Sequence, residues 1–236
     1  MTEILCYENS YLKEFDATVT QATETGVALD QTAFYPGGGG QPSDTGFIIW
    51  EEGGASVQKL SKTNGILIHK LDGPIPTVGT KIHGSLDWDK RYQLMRTHTA
   101  LHILCGVVWR DYGALVTGGN MTPLSARMDF ELENMSSEFA MEMEELVNKE
   151  IEEERDIVVD SLSREEAFKI PDLIRLKINK LPPAIKKIRT VDIVGLDLQA
   201  DGGTHVSNTR EVGHIQVVGH ESKGRINKRL RIGLSP

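Results

Sequence analysis

Cysteine is nearly absent: the chain of 236 residues has two, Cys6 and Cys105. Two thiols cannot build the disulfide framework of a small secreted protein, and the N-terminus MTEILCYENS has neither the basic start nor the apolar stretch of a secretory signal. A cytoplasmic protein is expected. No apolar run approaches the ~20 residues that span a bilayer, so no membrane role is expected. Positive charge is also in short supply, with 26 Lys and Arg against 34 Asp and Glu, a formal net charge of -8. That balance argues against sequence-independent coating of nucleic acid and against DNA as a partner, but it leaves room for local basic patches.

The hydrophobic content of 39% and charged content of 25% are ordinary for a globular protein, and the length suits two modest domains. From Ile4 to Asp30 the pattern reads as a hairpin turning at Glu24 to Gly26. Between Gly46 and Leu86 the runs GFIIW, ASVQKL, GILIHKL and KIHGSLD alternate with turns. Five to seven short strands predict a small closed or nearly closed β-barrel over residues 1–87. His69 and His83 fall in these strands and read as ordinary half-buried residues. Between the strands lies LDQTAFYPGGGGQPSDTG, with four glycines from Gly37 to Gly40. It does not match GxxxxGK[ST], so no Walker-type nucleotide site is expected. The flanking Asp-Gln-Thr, Phe34 and Tyr35 point to a shaped loop rather than a linker.

The stretch from Asp87 to Gly113 predicts one core helix, capped by Asp87 and stopped at Gly113. His98 and His102 lie one turn apart on it, so both imidazoles can reach one metal ion. Taken alone, such a pair on an apolar helix face is more often structural or partly solvated than metal-binding. Residues 88–236 predict an α+β second domain. It holds a hairpin turning at Gly118-Gly119-Asn120, an amphipathic helix starting at Ser136 or Ser137 with an acidic outer face, a strand VVDSLS and a short helix EEAFKI. A segment interrupted by Pro171, Pro182 and Pro183 follows, and RTVDIVGLDL returns to a strand. Near Ala200 the sequence ADGGTHV sets Asp201 and His205 at the ends of a Gly-Gly-Thr loop that can turn both toward one point. Carboxylate and imidazole are both competent zinc ligands. Cys105 is a rival donor on the helix, but it lies about 10 Å along the axis from His98 at 1.5 Å per residue, so an inert buried thiol is expected.

The pieces DQTAFYPGGGGQ, RTHTALHIL and DGGTHV, in this order, resemble the editing half of alanyl-tRNA synthetase and its free-standing relatives, the AlaX trans-editing proteins. The resemblance covers nearly the whole chain and lacks an aminoacylation core, which implies the free-standing form with an N-terminal barrel. In that family HxxxH and a later CxxxH bind zinc. His98, His102 and His205 match residue for residue, and Asp201 stands where most relatives have Cys. The resemblance therefore implies one zinc ion per chain on His98, His102, Asp201 and His205, with water as the alternative fourth ligand.

It further implies hydrolysis of the ester between a wrong amino acid and the 3' end of tRNA(Ala), chiefly serine, with glycine a second candidate. No Ser-His-Asp set or reactive cysteine recommends a covalent route, so direct attack by water is expected. A pocket that takes serine and spares the smaller alanine must require the hydroxyl. Gln31 and Thr32, with Asp201, are the candidate catalytic residues. Gly38, Gly39, Gly40, Gln41 and Arg96 are the candidate substrate contacts, Arg96 for the terminal phosphate. Basic groups for the tRNA acceptor end are Lys223, Arg225, Lys228, Arg229 and Arg231, and Arg175, Lys177, Lys180, Lys186, Lys187 and Arg189. A monomer is expected. A small-molecule metallohydrolase and a non-catalytic zinc-containing tRNA-binding module are the competing readings.

Overall fold

The structure, a computed structural model, describes residues 2–175 and 185–236. The chain forms two compact units, Met1–Gln93 and Leu94–Pro236. The proposed basic residues Lys177 and Lys180, and Pro182 and Pro183, lie outside the described residues.

The first unit contains β1 (Glu3–Ile4), β2 (Glu14–Thr23), β3 (Gly26–Leu29), β4 (Gln31–Thr32), β5 (Gly46–Trp50), β6 (Gly53–Thr63), β7 (Ile66–Asp72) and β8 (Lys81–Leu86). Six of these close a barrel in the order β2-β3-β7-β6-β5-β8, while β1 and β4 form a short parallel pair. Along β2 the period-two pattern turns Phe15, Ala17 and Val19 inward, where they meet Val27, Leu29, Phe34, Ile48, Val57, Leu60 and Ile82. The β2-β3 hairpin pairs Thr23 with Gly26, so it turns at the expected place. Gly26 is required by close approach: a Cβ there would sit 2.0 Å from the His69 carbonyl oxygen. His69 is fully buried rather than half-buried, packed edge-on to Phe34 at 5.8 Å between centroids. His83 is half-buried.

Helix α1 (Trp88–Tyr112) starts as expected, with Asp87 Oδ1 accepting the Lys90 amide at 3.2 Å. It stops at Gly113, whose φ of 61° and amide bond to the Trp109 carbonyl form a left-handed cap. From Leu94 onward it is a core helix, with Leu94, Met95, Ala100, Leu101, Ile103, Leu104, Val107 and Val108 all buried.

The second unit continues with β9 (Val116–Thr122), β10 (Ser125–Phe130), α2 (Ser137–Glu152), β11 (Ile157–Ser163), α3 (Arg164–Ala167), β12 (Lys187–Ile193), β13 (Asp197–Ala200), β14 (Ile215–Gly224) and β15 (Asn227–Leu234). The sheets are β14-β15-β10-β9 and β11-β12-β13. Ser136 caps α2 by accepting from the Phe139 amide. On its inner face Met143, Val147 and Ile151 are buried, and Asn148 and Glu144 satisfy the backbone of Ile215 and Val217 at the edge of β14.

Two local expectations are corrected. The β9-β10 hairpin turns at Pro123-Leu124, and Gly118-Gly119-Asn120 lies within β9, paired with Asp129, Met128 and Arg127. Leu124 takes φ 59°, its amide held by the Thr97 hydroxyl at 2.9 Å and its carbonyl by the Leu234 amide at 2.9 Å. Partners distant in sequence override the local turn preference there. RTVDIVGLDL is two antiparallel strands, β12 and β13, reversed at Gly195 with φ 79°.

Candidate metal centre

Within the second unit, four side chains expected to act together converge. Ligand atoms of His98, His102, Asp201 and His205 all lie within 4.8 Å of one another. The imidazole centroids are 5.1 Å apart for His98 and His102, 4.4 Å for His98 and His205, and 4.6 Å for His102 and His205. Asp201 faces all three rings: Oδ1 is 3.7 Å from His98 Nε2 and 3.9 Å from His102 Nε2, and Oδ2 is 3.1 Å from His205 Nε2. A tetrahedral zinc site with bonds of about 2.0–2.2 Å has ligand separations of about 3.3–3.6 Å. The three measured distances bracket that range, so the donor set fits a small divalent metal.

The backbone explains why the loop half of the site is placed. Arg189 donates from Nη1 to the Asp201 carbonyl at 3.1 Å, and the Asp201 amide returns a bond to the Arg189 carbonyl at 3.1 Å. Asp201 Oδ2 accepts the Gly203 amide in an Asx-type turn, which aims the carboxylate back at the helix.

Burial holds the His98 imidazole well below its usual pKa and lowers His205 to about 4, so both are neutral at physiological pH. Burial alone would raise Asp201, but the three imidazoles that face it, with His205 Nε2 at hydrogen-bond distance, hold its carboxyl well below the ordinary range. Neutral imidazoles beside an ionised carboxylate are the protonation state in which these groups bind metals.

Sequence reading missed Thr99. Its hydroxyl is buried, accepts the Val206 amide at 3.3 Å and lies 3.3 Å from His205 Nδ1. A hydroxyl can donate to that nitrogen or accept from it, so Thr99 supports either tautomer of His205. With Nε2 turned to a metal, Nδ1–H donates to Thr99, the arrangement that commonly orients a ligating histidine. The available signal was a threonine between two histidines on an otherwise apolar face.

The region described as "tRNA synthetases class II (A)" matches residues 3–90, and "Threonyl and Alanyl tRNA synthetase second additional domain" matches residues 188–231. Alanyl-tRNA editing protein AlaX-M of Saccharolobus solfataricus is 43% identical over 100% of both chains. AlaX-M of Methanosarcina barkeri is 37% identical over 98% of each. The chain belongs to the AlaX-M family of alanyl-tRNA editing proteins. It is also similar to alanine--tRNA ligase of Pyrococcus furiosus, 37% identical over 92% of this chain and 24% of that protein.

The remaining residues singled out in the sequence have definite surroundings. In the first unit, Gln31 Nε2 donates to the Asp16 carbonyl at 2.7 Å. Thr32 is fully buried, its hydroxyl oxygen 2.9 Å from His69 Nε2 and accepting the Phe34 amide at 3.2 Å. His69 Nδ1 faces the Val27 carbonyl at 3.3 Å, and a carbonyl can only accept. Nδ1 therefore carries the proton, Nε2 accepts, and Thr32 gives its only hydrogen to His69. Burial lowers the His69 pKa to about 4, which keeps this neutral tautomer. Gly38, Gly39 and Gly40 have φ of 143°, 58° and 93°, and Gly38 and Gln41 exchange backbone hydrogen bonds of 3.0 and 2.9 Å.

In the second unit, Arg96 Nη2 donates to the Val212 and Ser235 carbonyls at 3.0 and 2.7 Å. Much of the C-terminal basic cluster is neutralised internally. Arg229 forms a fork with Asp129 at 2.6 and 2.8 Å, Arg231 and Lys223 pair with Glu221 at 3.0 and 3.2 Å, and Lys228 is buried on the Gly224 and Arg225 carbonyls. Arg225 is exposed. In the other group Arg175 pairs with Asp197 at 2.9 Å and lies over the Trp109 ring, while Lys186 and Lys187 are exposed.

Proposed function

We propose that this protein is a trans-editing deacylase that hydrolyses mischarged tRNA(Ala), chiefly Ser-tRNA(Ala), with Gly-tRNA(Ala) a second substrate. The single observation that carries the reading is full-length similarity to AlaX-M editing proteins, joined to an intact His98, His102, Asp201 and His205 cluster. Those four side chains would hold one zinc ion, which supplies Lewis acidity and a fixed positive charge beside the ester. An aminoacyl ester is already activated, so the chain's residues need only bind, orient and keep the reaction selective.

Water is the proposed nucleophile. Cys105 is buried, its thiol pushed up to about 12 chiefly by burial. The Asp201 carboxylate, among the three imidazoles, contributes a ligand and negative charge. Serine selection is assigned to Thr32, with Gln31 beside it. Because Thr32 donates to His69, it can only accept a hydrogen bond from a seryl hydroxyl. Thr32 has no exposed surface, so reading a side chain requires the cover over it to open. The glycine-rich loop, Gly38 to Gln41, is assigned to contact the acceptor end. Lys186, Lys187 and Arg225 are the proposed phosphate contacts.

The test is deacylation of tRNA(Ala) charged with serine, glycine or alanine, with and without a chelator. Loss of the seryl ester, survival of the alanyl ester and arrest by the chelator are expected. Tight tRNA binding without deacylation would leave a zinc-containing binding module. Simple aminoacyl esters cleaved as well as charged tRNA would make it a small-molecule hydrolase.

A further inference from the structure

Arg91 is fully buried, a rare state for an arginine, and its guanidinium is satisfied on three sides. Nε donates to both Asp44 oxygens at 3.1 and 2.9 Å, Nη1 to the Ser10 carbonyl at 2.8 Å, and Nη2 to the Ala33 carbonyl at 2.6 Å and to Asp44 Oδ2. Asp44 is the far end of the glycine-rich loop. Its Oδ2 accepts the Tyr35 amide at 2.6 Å, and its own amide donates to the Tyr35 carbonyl at 3.1 Å, so these two residues form the neck of the loop.

The loop needs such a neck. Gly37, Gly38, Gly39 and Gly40 all have positive φ, and glycine loses more conformational freedom on ordering than any other residue. Within the loop, the Gly38 and Gln41 backbone pair and the Tyr35 hydroxyl on the Gly38 carbonyl, at 3.2 Å, help hold its shape. The neck therefore fixes where those contacts stand. A lysine could keep the charge of Arg91 but could not fork onto Asp44 while reaching Ser10 and Ala33.

We infer that Arg91 is a positioning residue for the glycine-rich loop, clamping Asp44, Ala33 and Ser10 so that the Gly38 to Gln41 backbone is presented in one conformation. Its link to catalysis rests on the deacylase reading, in which that backbone meets the substrate.

The experiment compares wild type with Arg91→Lys, and with Arg91→Ala supplemented by millimolar guanidine hydrochloride, which can refill the vacated space. Native-state amide exchange is followed at Tyr35, Gly38, Gln41 and Asp44 and, as a control, at Ile48 and Ile82 in the barrel core, beside kcat and KM for Ser-tRNA(Ala) and metal content. In Arg91→Lys the four loop amides should exchange at least about tenfold faster while the two core amides and the metal content stay unchanged. The value of kcat/KM should fall by about 10- to 100-fold, with partial recovery in guanidine-treated Arg91→Ala where that variant folds. Unchanged loop exchange in Arg91→Lys overturns the inference, and so does an equal rise at Ile48 and Ile82, which would make Arg91 a stabiliser of the whole barrel. Loosened loop amides with wild-type kcat/KM overturn its link to catalysis. A wild-type protein without deacylase activity defeats the functional reading instead, and the exchange measurement still decides the clamp.

Discussion

Asp201 Oδ2 and His205 Nε2 face each other at 3.1 Å across the Gly-Gly-Thr loop, each a potential ligand and each buried in a different way. His205 is 1% exposed and Asp201 16%, so the carboxylate marks the side of the cluster closer to solvent. That exposure fits an aspartate at the more accessible corner of a hydrolytic centre, where an open position is most useful.

Replacing that corner should change metal retention in a graded way. Asp201→Cys, which offers a softer donor, is expected to keep or raise zinc content, while Asp201→Ala should weaken zinc by more than the roughly 10- to 100-fold typical of outer partners. Metal analysis after dialysis against graded chelator measures both. Wild-type zinc content and activity in Asp201→Ala would assign the fourth position to water.

Thr99 offers a separate test because it touches His205, a proposed ligand, and is not itself one of the four. Thr99→Val preserves volume but removes the oxygen that faces His205 Nδ1 and the Val206 amide. Metal affinity should fall roughly 10- to 100-fold, with the fold retained. Affinity equal to wild type in a chelator competition would mean that the hydroxyl serves only the Val206 backbone.

Local pattern made the strands, the two caps of α1 and the two halves of the His98, His102, Asp201 and His205 cluster readable, because each depends on neighbours within a turn or on a short loop. What escaped depends on partners far along the chain. Gly118-Gly119-Asn120 has turn composition, yet the turn forms where Thr97 and Leu234 hold Leu124. Arg229 and Arg231 read as a basic patch because their counter-ions, Asp129 on β10 and Glu221 on β14, come from other strands. Nothing near Arg91 in sequence announces its partner Asp44, 47 residues away. The pairing of His69 with Thr32 crosses from β7 to β4 and is equally invisible to periodicity.

The two thiols should be silent in the folded protein. Cys6 is fully buried and Cys105 is 2% exposed. With Cys105 raised to about 12, the thiolate fraction at pH 8 is roughly one part in ten thousand, and thiolate is the reactive form. Iodoacetamide at pH 8 should modify neither cysteine in the native state and both after denaturation. Rapid labelling of Cys105 in the folded chain would revive it as a nucleophile or ligand.

Thr32 carries the proposed chemistry of selection, and the structure gives its substitution two separable consequences. Thr32→Val keeps the shape and deletes the hydroxyl, so the barrel loses the donor to His69 Nε2 and the acceptor for the Phe34 amide. Each buried group left unpaired costs about 1–3 kcal/mol, so the melting temperature should fall whatever the role in editing. If the hydroxyl also reads serine, Ser-tRNA(Ala) deacylation should drop by roughly 5- to 150-fold, the same energy expressed as a rate, while glycyl substrate changes little. Thr32→Ser, which keeps the hydroxyl, should preserve the preference for serine. Equal losses on seryl and glycyl substrates would mean that Thr32 and His69 only shape the approach to the glycine-rich loop. A destabilised variant with undiminished serine editing would take Thr32 out of the site and leave the His69 contact as a purely structural bond in the barrel.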